Sequence, residues 1–305
     1  MSAGGAVGHG DEVDPPRIVL VSPVRDEKDS VERTIQCMKA QTVRPRLWVL
    51  VDDGSTDATP RLLERAADEA PWIRVVRRAD RGRREVGGGV IDAFYAGLDA
   101  VDIPYDFIGK VDGDLEFSPR YLENIMRHFE EDPNLGAASG KLFRQGGGGM
   151  VEEFMIDGMV AGAFQLYRRA VFDEIGGFVH EVMWDGIAFH RARMAGHRTA
   201  SFPDPELRLI ELRPMGASDQ SVLRGRLRWG RGQWFMGSAF SYVIASGIFR
   251  MRERPYVIGG LLIILGYVVS ALRRASRYED AEFRTELRRW QHRRLVGLAR
   301  GQGVR

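Results

Sequence analysis

The chain has 305 residues and a net charge of +2, with 44% hydrophobic and 28% charged residues. These values are ordinary for a folded protein, and the length can bury one large core or two modest ones. Cys37 is the only cysteine, which excludes an intrachain disulfide and a cluster of thiolate metal ligands.

The charge is unevenly distributed along the chain. From Arg224 onward there are 17 arginines and 5 acidic residues, a net charge of +12, whereas the preceding part carries −10. An acidic body followed by a basic segment predicts that the last quarter meets an anionic surface, either lipid head groups or nucleic acid. Because the arginines flank an apolar run, we expect lipid and no nucleic acid.

Two segments differ from the rest in composition. Residues 1–16 are small, acidic and rich in glycine and proline, which predicts a disordered tail and excludes a secretory signal. Residues 256–272 form an uncharged apolar run flanked by arginines, at the short edge of a membrane span. A helix that crosses the bilayer, one that lies in a single leaflet and a core helix are all compatible with this length.

Strands and helices are predicted to alternate in the first part of the chain. Apolar runs predict strands at 17–23, 47–51, 73–76 and 105–110. Helical spacing predicts helices at 29–40, 59–70 and about 90–100. This alternation implies a parallel sheet with right-handed crossovers, which binds ligands at the carboxyl ends of its strands.

A polar cluster follows each of these four strands: Arg25-Asp26-Glu27, Asp52-Asp53, Arg81 to Arg84, and Asp112 with Asp114. Alternate residues of an extended segment point the same way, so Asp112 and Asp114 can converge on one hard divalent cation. An isolated Asp-Gly-Asp is also compatible with a solvated turn, but the four clusters share one edge of the predicted sheet. Ser118-Pro119 next predicts a cap and a first helical residue.

The pattern changes after residue 135. Strands are predicted at 136–143, 163–167, 198–202 and 207–212, helices at 169–175 and 185–195, and a mobile stretch at Gly146–Gly149. Beyond Ser218 the chain is rich in arginine, tryptophan and glycine and then apolar. We therefore divide the chain into a tail (1–16), a folded domain (17–222) and a basic, apolar, helical, membrane-associated region (223–305).

Two common nucleotide-binding motifs are absent. No Gly-x-Gly-x-x-Gly follows the first strand, where Val24-Arg25-Asp26-Glu27 stands, and no Walker lysine motif occurs. Hydride transfer and P-loop hydrolysis are therefore not expected. The residues instead indicate a nucleotide site with acids near the base and ribose, a carboxylate pair for a metal, and arginines for phosphate.

The ordered series of motifs resembles the family 2 glycosyltransferases with the GT-A type fold. It consists of Ser22-Pro23-Val24-Arg25-Asp26-Glu27, Val51-Asp52-Asp53-Gly54-Ser55-Thr56-Asp57, Asp112-Gly113-Asp114, Trp184-Asp185 and Arg226-Leu227-Arg228-Trp229. The resemblance covers roughly residues 17–234. It implies an α/β domain with a mostly parallel central sheet flanked by helices.

The C-terminal region, with Arg228-Trp229-Gly230-Arg231-Gly232 followed by an apolar stretch, is similar to bacterial members that act in exopolysaccharide or lipid-linked glycan assembly. The resemblance implies an inverting transfer of a sugar from a nucleoside-diphosphate sugar, usually UDP-linked, to a lipid-linked or polysaccharide acceptor. The expected location is the cytosolic face of the bacterial inner membrane, at an anionic lipid surface.

The resemblance also implies roles for individual residues. Asp53 would bind the base, Arg25 and Glu27 would line the nucleotide pocket, and Asp112 would face the ribose and sugar. Asp114, with Asp112, would hold Mg²⁺ or Mn²⁺ on the diphosphate. The implied donor-binding set is Pro23, Arg25, Glu27, Asp53, Arg83, Arg84, Asp112 and Asp114, in which either Arg83 or Arg84 is equally a surface charge.

On the acceptor side, Asp185 is the candidate general base, and the alternative is a helix N-terminal acid without a chemical role. Trp184 would stack on a sugar ring, and Arg226, Arg228 and Trp229 would close over the diphosphate and acceptor. Gly225 stands where the family's motif has glutamine, which favours single addition over processive synthesis.

A second departure concerns the metal. Relatives often carry a histidine near the Arg-Pro that follows the last strand, where Glu211-Leu212-Arg213-Pro214 stands here. The metal would then rely on Asp114, phosphates and water, and a role for Glu211 stays open. Two rival functions are a sugar nucleotidyltransferase and a non-catalytic, membrane-recruited nucleotide-binding scaffold.

Overall fold

A computed structural model describes residues 16–82, 87–146, 149–212 and 222–300. Most of the predicted tail, as well as Arg83, Arg84, Arg213 and Pro214, lie outside the described residues. Gly147 and Gly148, from the stretch predicted to be mobile, also lie outside them.

The first half of the fold alternates strand and helix as predicted. Its elements are β1 (Ile18–Val24), α1 (Val31–Lys39), β2 (Leu47–Asp52), α2 (Thr59–Glu69), β3 (Ile73–Arg77), α3 (Gly88–Leu98) and β4 (Phe107–Val111). The next elements are β5 (Leu115–Phe117), α4 (Tyr121–Glu131), β6 (Leu135–Gly140), β7 (Leu142–Gly146) and β8 (Gly149–Glu152). They are followed by β9 (Phe164–Arg168), α5 (Arg169–Glu174), α6 (Trp184–Met194), β10 (Arg198–Phe202) and β11 (Leu209–Glu211).

The central sheet has seven strands in the order β10-β6-β9-β4-β1-β2-β3. The four strands β4, β1, β2 and β3 are parallel, and β9 runs antiparallel between β4 and β6. Along β1, Ile18 and Leu20 join one core and Val19 and Val21 the other. Both faces are therefore covered, as a mostly parallel sheet requires.

A smaller sheet of four strands, β5-β11-β7-β8, lies beyond the carboxyl end of β4. It corrects one prediction. The single strand predicted at 136–143 is two strands, β6 and β7, which belong to different sheets. They separate at Gly140, where a Cβ atom would lie 1.5 Å from the carbonyl oxygen of Leu207.

The segment after β4 also differs from its prediction. Residues 112–114 form a turn between β4 and β5 and are not extended. The three-residue strand β5 was missed because it is too short for a period-2 pattern. Helix α4 begins at Tyr121, so Pro119 precedes the helix and is not its first residue.

The last part of the described chain consists of four helices, α7 (Val222–Met236), α8 (Phe240–Arg250), α9 (Ile258–Leu272) and α10 (Ala281–Ala299). Glycines bring their backbones together: a Cβ atom at Gly230 would lie 2.0 Å from the carbonyl oxygen of Ile263, and one at Gly260 would lie 2.2 Å from that of Gly247. None of the helices among the described residues combines the length and apolarity needed to cross a membrane.

These helices pack on the α/β domain. Phe283 and Leu287 of α10 are fully buried in a cluster with Ile187 of α6 and Met236 of α7. A Cβ atom at Gly232 would lie 2.5 Å from Met183, the residue before α6. The basic region that the sequence set apart therefore contacts the helix that carries Asp185.

Candidate active site

Arg25 and Asp53 meet at the carboxyl ends of β1 and β2. The Arg25 guanidinium donates to the Asp53 carbonyl oxygen and to Oδ1 of Asp80, both at 2.6 Å. The Asp53 carboxylate accepts from Arg78 at 2.6 Å and from Arg81 at 2.5 Å. Arg25 and Asp53 are each 6% exposed, and burial of such charges requires pairing of this kind. The structure thus brings two predicted donor-site residues into one network.

Arg78 was not selected from the sequence, and Arg81 was placed in the polar cluster after the third strand but not in the donor-binding set. Both residues follow β3, which pairs with β2. Their position after a strand next to β2 is the feature that could have indicated a contact with Asp53. The predicted Arg83 and Arg84 lie outside the described residues. Pro23 is half-buried in β1 opposite Val51, two residues before Arg25.

The turn of Asp112, Gly113 and Asp114 lies against Glu27. A Cβ atom at Gly113 would lie 2.7 Å from Oε2 of Glu27, so a larger residue would displace this carboxylate. Glu27 is 5% exposed, and its backbone N–H donates to the Thr59 hydroxyl at 2.8 Å. Glu27 is therefore placed beside the predicted metal-binding turn.

The hydroxyl of Thr34, in α1, holds the same turn in place. It accepts from the Leu115 N–H at 2.9 Å and lies 3.0 Å and 2.8 Å from the carbonyl oxygens of Gly113 and Leu115. Thr34 is fully buried, so water does not compete for these bonds. A threonine within an amphipathic helix carries no sequence signal for this role.

Lys110 is a second unpredicted residue at the site. Its side chain is 2% exposed, pairs with Asp112 and donates to the Gly162 carbonyl oxygen at 3.0 Å. Its ammonium lies 5.1 Å from the centre of the Trp184 ring, and that ring packs at 4.7 Å on Phe178. The structure thus places Trp184 against the buried lysine.

Asp185 lies in the first turn of α6, which begins after Met183 in a left-handed conformation with φ of 71°. The Gly186 N–H donates to Oδ1 of Asp185 at 2.8 Å. Burial raises the pKa of the Asp185 carboxyl above its usual value, although this hydrogen bond and the Lys110 charge lower it. Asp185 also lines a cavity, so its position at a helix start and a chemical role are compatible.

Glu211 ends β11 beside the Asp-Gly-Asp turn. The next residue, Leu212, donates its N–H to the Asp114 carbonyl oxygen at 2.8 Å. Burial, with the negative charges of Asp114, Glu153 and Asp112, raises the pKa of Glu211 to about 8. Crowded carboxylates of this kind favour a divalent cation, which supports Asp112 and Asp114 as residues that could hold Mg²⁺ or Mn²⁺.

The protein side of such a metal site is sparse. Among the described residues, no group of three histidine, cysteine, aspartate or glutamate side chains is arranged to hold a metal ion. Substrate phosphates and water would therefore supply the other ligands, as Mg²⁺ sites commonly require.

A cavity of about 630 Å³ connects the domain to the last helices. Four carboxylates line it, those of Asp112, Glu153, Asp185 and Glu211, together with Trp229 and the guanidinium groups of Arg228, Arg250 and Arg294. Trp229 stacks on Arg250, with 3.8 Å between the guanidinium carbon and the ring centre. The size is typical of a site for a small organic ligand.

Arg226 occupies a different environment from Arg228 and Trp229. It is 5% exposed and donates to Glu253 at 2.8 Å and to the Arg254 carbonyl oxygen at 3.3 Å. Of the predicted acceptor-side motif, Arg228 and Trp229 therefore line the cavity, and Arg226 joins α7 to the segment before α9.

Comparisons with known proteins agree with this architecture. Residues 19–176, about half of the chain, match the family described as Glycosyl transferase family 2. Glycosyltransferase AglD of Haloferax volcanii is 24% identical over 271 residues, which are 81% of this chain. The chain spans 40% of the length of that relative.

Solved structures resemble the whole described fold. The mannosyltransferase PcManGT from Pyrobaculum calidifontis, in complex with GDP-Man and Mn²⁺, has a TM-score of 0.54 at 17% identity, covering 95% of this chain and 88% of that chain. S. aureus TarS 1-349 has a TM-score of 0.51 at 13% identity, covering 85% of this chain and 72% of that chain. At these identities the likeness concerns the fold, and it confirms the predicted α/β, GT-A type architecture. The match over residues 19–176 shows that the chain belongs to glycosyl transferase family 2.

Proposed function

We propose that this protein is an inverting glycosyltransferase that moves a sugar from a UDP-sugar to a lipid-linked acceptor at the cytosolic face of a bacterial membrane. The observation that carries the proposal is the cavity in which Asp112, Asp185 and Glu211 face Arg228 and Trp229. It lies at the carboxyl end of β4, where this class of sheet binds its ligands.

On the donor side, the base would lie near Asp53 and Arg25, and the diphosphate near the Asp-Gly-Asp turn. Asp112 and Asp114 would hold Mg²⁺ or Mn²⁺, which when bound offsets the charge that grows on the departing diphosphate. Lys110 pairs with Asp112 and keeps that carboxylate oriented.

On the acceptor side, Asp185 takes the proton of the acceptor hydroxyl as its oxygen attacks the anomeric carbon of the donor sugar. The bond from that carbon to the diphosphate oxygen breaks, and the nucleoside diphosphate leaves with the electron pair. The raised pKa of Asp185 makes it a stronger base than an exposed aspartate. Attack opposite the leaving group inverts the anomeric centre.

A membrane location is supported by one surface of the last helices. Helix α9 exposes Ile258, Leu261, Leu265 and Leu272, which are 57%, 51%, 49% and 79% exposed, and arginines flank it at both ends. At about 1.5 Å per residue its 15 residues reach about 22 Å, less than the roughly 30 Å of a hydrocarbon core. We therefore propose that α9 lies in the plane of an anionic membrane surface.

Calorimetric binding of UDP, GDP and dTDP with and without Mn²⁺ tests the proposal. We expect UDP to bind most tightly and to require Mn²⁺, and we expect this metal-dependent binding to be lost in Asp114→Asn. Asp102→Asn, at a side chain that is 69% exposed, is the matched control and should bind as wild type does. If the folded protein binds none of the nucleotides, the proposed enzymatic activity is refuted. Metal-dependent nucleotide binding without sugar transfer would favour the non-catalytic scaffold instead.

A further inference from the structure

The cavity has a wall that the family match does not include. Helix α10 lies well beyond residues 19–176 and contributes Trp290, Gln291, Arg294, Leu295 and Leu298 to the lining. Residues 291, 294, 295 and 298 have the spacing of one helix face. The amino-terminal half of α10 packs on α6, so its carboxyl-terminal half is positioned over the cavity.

The cavity carries charges of both signs. The carboxylates of Asp112, Glu153, Asp185 and Glu211 come from the α/β domain, and three arginines come from α7, α8 and α10. Arg250 is held by Glu253 at 3.0 Å and by Trp229. A ligand that presents a hydroxyl to Asp185 must keep any anionic group away from these carboxylates, because like charges in a shielded site repel strongly.

Arg294 is suited to hold that anionic group. Its guanidinium carbon lies 5.7 Å from the centre of the Trp290 ring, and Trp290 lies 6.3 Å from the ring of Tyr242. Tyr242, on α8, lines the same cavity as Arg294. A guanidinium beside a phenol and an indole offers several donors to a phosphate.

Apolar side chains continue from Arg294 toward the end of the helix. Leu295 and Leu298 line the same cavity, and Leu298 is 36% exposed, so this end opens to solvent. Phe249 and Met236 extend the apolar wall from α8 and α7. One cavity therefore offers carboxylates, a guanidinium and apolar side chains to a single ligand.

We infer that α10 is the acceptor-binding element, in which Arg294 binds the phosphate of a lipid-linked acceptor and Leu295 and Leu298 contact the first part of its apolar chain. This inference rests on the proposed function, because the acceptor sugar is placed at Asp185. It assigns to α10 the recognition of a phosphate-bearing amphiphile, with the chain leaving past Leu298.

The test uses the full chain and decyl phosphate below its micelle concentration, with binding followed by tryptophan fluorescence, since Trp229 and Trp290 line the cavity. Decyl maltoside and inorganic phosphate are the comparison ligands. We expect wild type to bind decyl phosphate more tightly than either. Arg294→Gln should weaken decyl phosphate binding about tenfold or more and leave decyl maltoside unchanged, because it removes a charge-assisted contact.

Arg293→Gln is the matched control, since Arg293 is exposed and does not line the cavity. Leu298→Gln should weaken the binding of both amphiphiles several-fold without affecting the binding of inorganic phosphate. Because Leu298 is partly exposed, we expect this variant to fold. Equal effects of Arg294→Gln and Arg293→Gln, or decyl phosphate binding no tighter than decyl maltoside, would overturn the inference.

The sources of phosphate are distinguished by competition. If inorganic phosphate or UDP displaces decyl phosphate at its own binding concentration, Arg294 serves a free phosphate or the donor, and the inference fails. UDP calorimetry on the same variants separates the two proposals. If wild type binds no nucleotide, the proposed function is refuted. If the variants bind UDP as wild type does and bind the two amphiphiles as expected above, α10 is supported as the acceptor-binding element.

Discussion

The carboxylates of the active site each have a different environment. Asp112 is neutralised by Lys110, Asp185 accepts a hydrogen bond from Gly186, and Glu211 is surrounded by other acids. Desolvation and repulsion raise a carboxyl pKa, whereas a nearby cation or donor lowers it. The same residue type therefore performs different roles a few ångströms apart.

Glu211 makes metal-free stability depend on pH. Its pKa is about 8 in the folded protein against 4.5 as the ordinary value, so its stabilising contribution is complete below pH 4.5 and is lost as pH rises through 8. Glu211→Gln cannot ionise. We expect its stability relative to wild type to rise by about 1–3 kcal/mol between pH 5 and pH 9, in urea unfolding with a chelator present. An identical difference at both pH values would contradict this assignment.

The variant Asp185→Asn distinguishes the two possible roles of Asp185, a general base and a helix N-terminal acid without a chemical role. Asparagine accepts the Gly186 hydrogen bond equally well, so thermal stability and UDP binding should be unchanged. The proton acceptor is lost, and we expect kcat to fall roughly 10²- to 10⁴-fold. The measurement is UDP release in the presence of acceptor. Full activity in a folded variant would leave Asp185 with only its role in the helix.

At the scale of elements, each strand of the first half was predictable from its own residues. β1, β2 and β4 are mostly apolar, β3 has three apolar residues of five, and the polar residues that follow them meet at one edge. The three residues of β5 are too few for a period, and the break between β6 and β7 depends on the approach of Leu207 to Gly140. These features need a partner that local sequence does not reveal.

The exposed face of α9 leads to a prediction about membrane binding. Replacing both Leu261 and Leu265 by aspartate puts two charges on the apolar stripe, and we expect affinity for vesicles of phosphatidylglycerol and phosphatidylcholine to fall at least tenfold. Co-sedimentation measures this. Val151→Asp is the control, because Val151 is 47% exposed on β8. Equal sedimentation of the double variant and the control would rule out α9 as the membrane-binding surface.

At the scale of the whole molecule, the basic helices and the α/β domain share one core cluster. Ile187 belongs to α6, Met236 to α7, and Phe283 and Leu287 to α10. Because α6 carries Asp185, the position of the last helices and the shape of the active site are coupled. Separation of these helices would open the cavity on the side that carries the arginines.

Leu287→Ala tests this coupling. Leu287 is fully buried, so we expect the free energy of unfolding to fall by about 2–5 kcal/mol. The shared cluster predicts a single unfolding transition in scanning calorimetry for both proteins, at a lower temperature in the variant. A separate early transition that leaves the domain transition at its wild-type temperature would show that the last helices unfold independently.

The sequence by itself determined the alternation of strands and helices, the sheet edge where polar clusters gather, and the motifs that indicate family 2. Local apolar periods and short motifs encode these features, because each is specified by neighbouring residues. The tertiary structure alone shows that the buried Lys110 pairs with Asp112, that Glu211 joins the acids of the turn, and that α10 lines the cavity. Lys110 and Asp112 are neighbours in sequence, but the burial of Lys110 depends on Gly162 and Trp184, which are distant in the chain. Glu211 and α10 are also far in sequence from the turn, and burial of apolar surface between whole elements brings them to it, which no local pattern records.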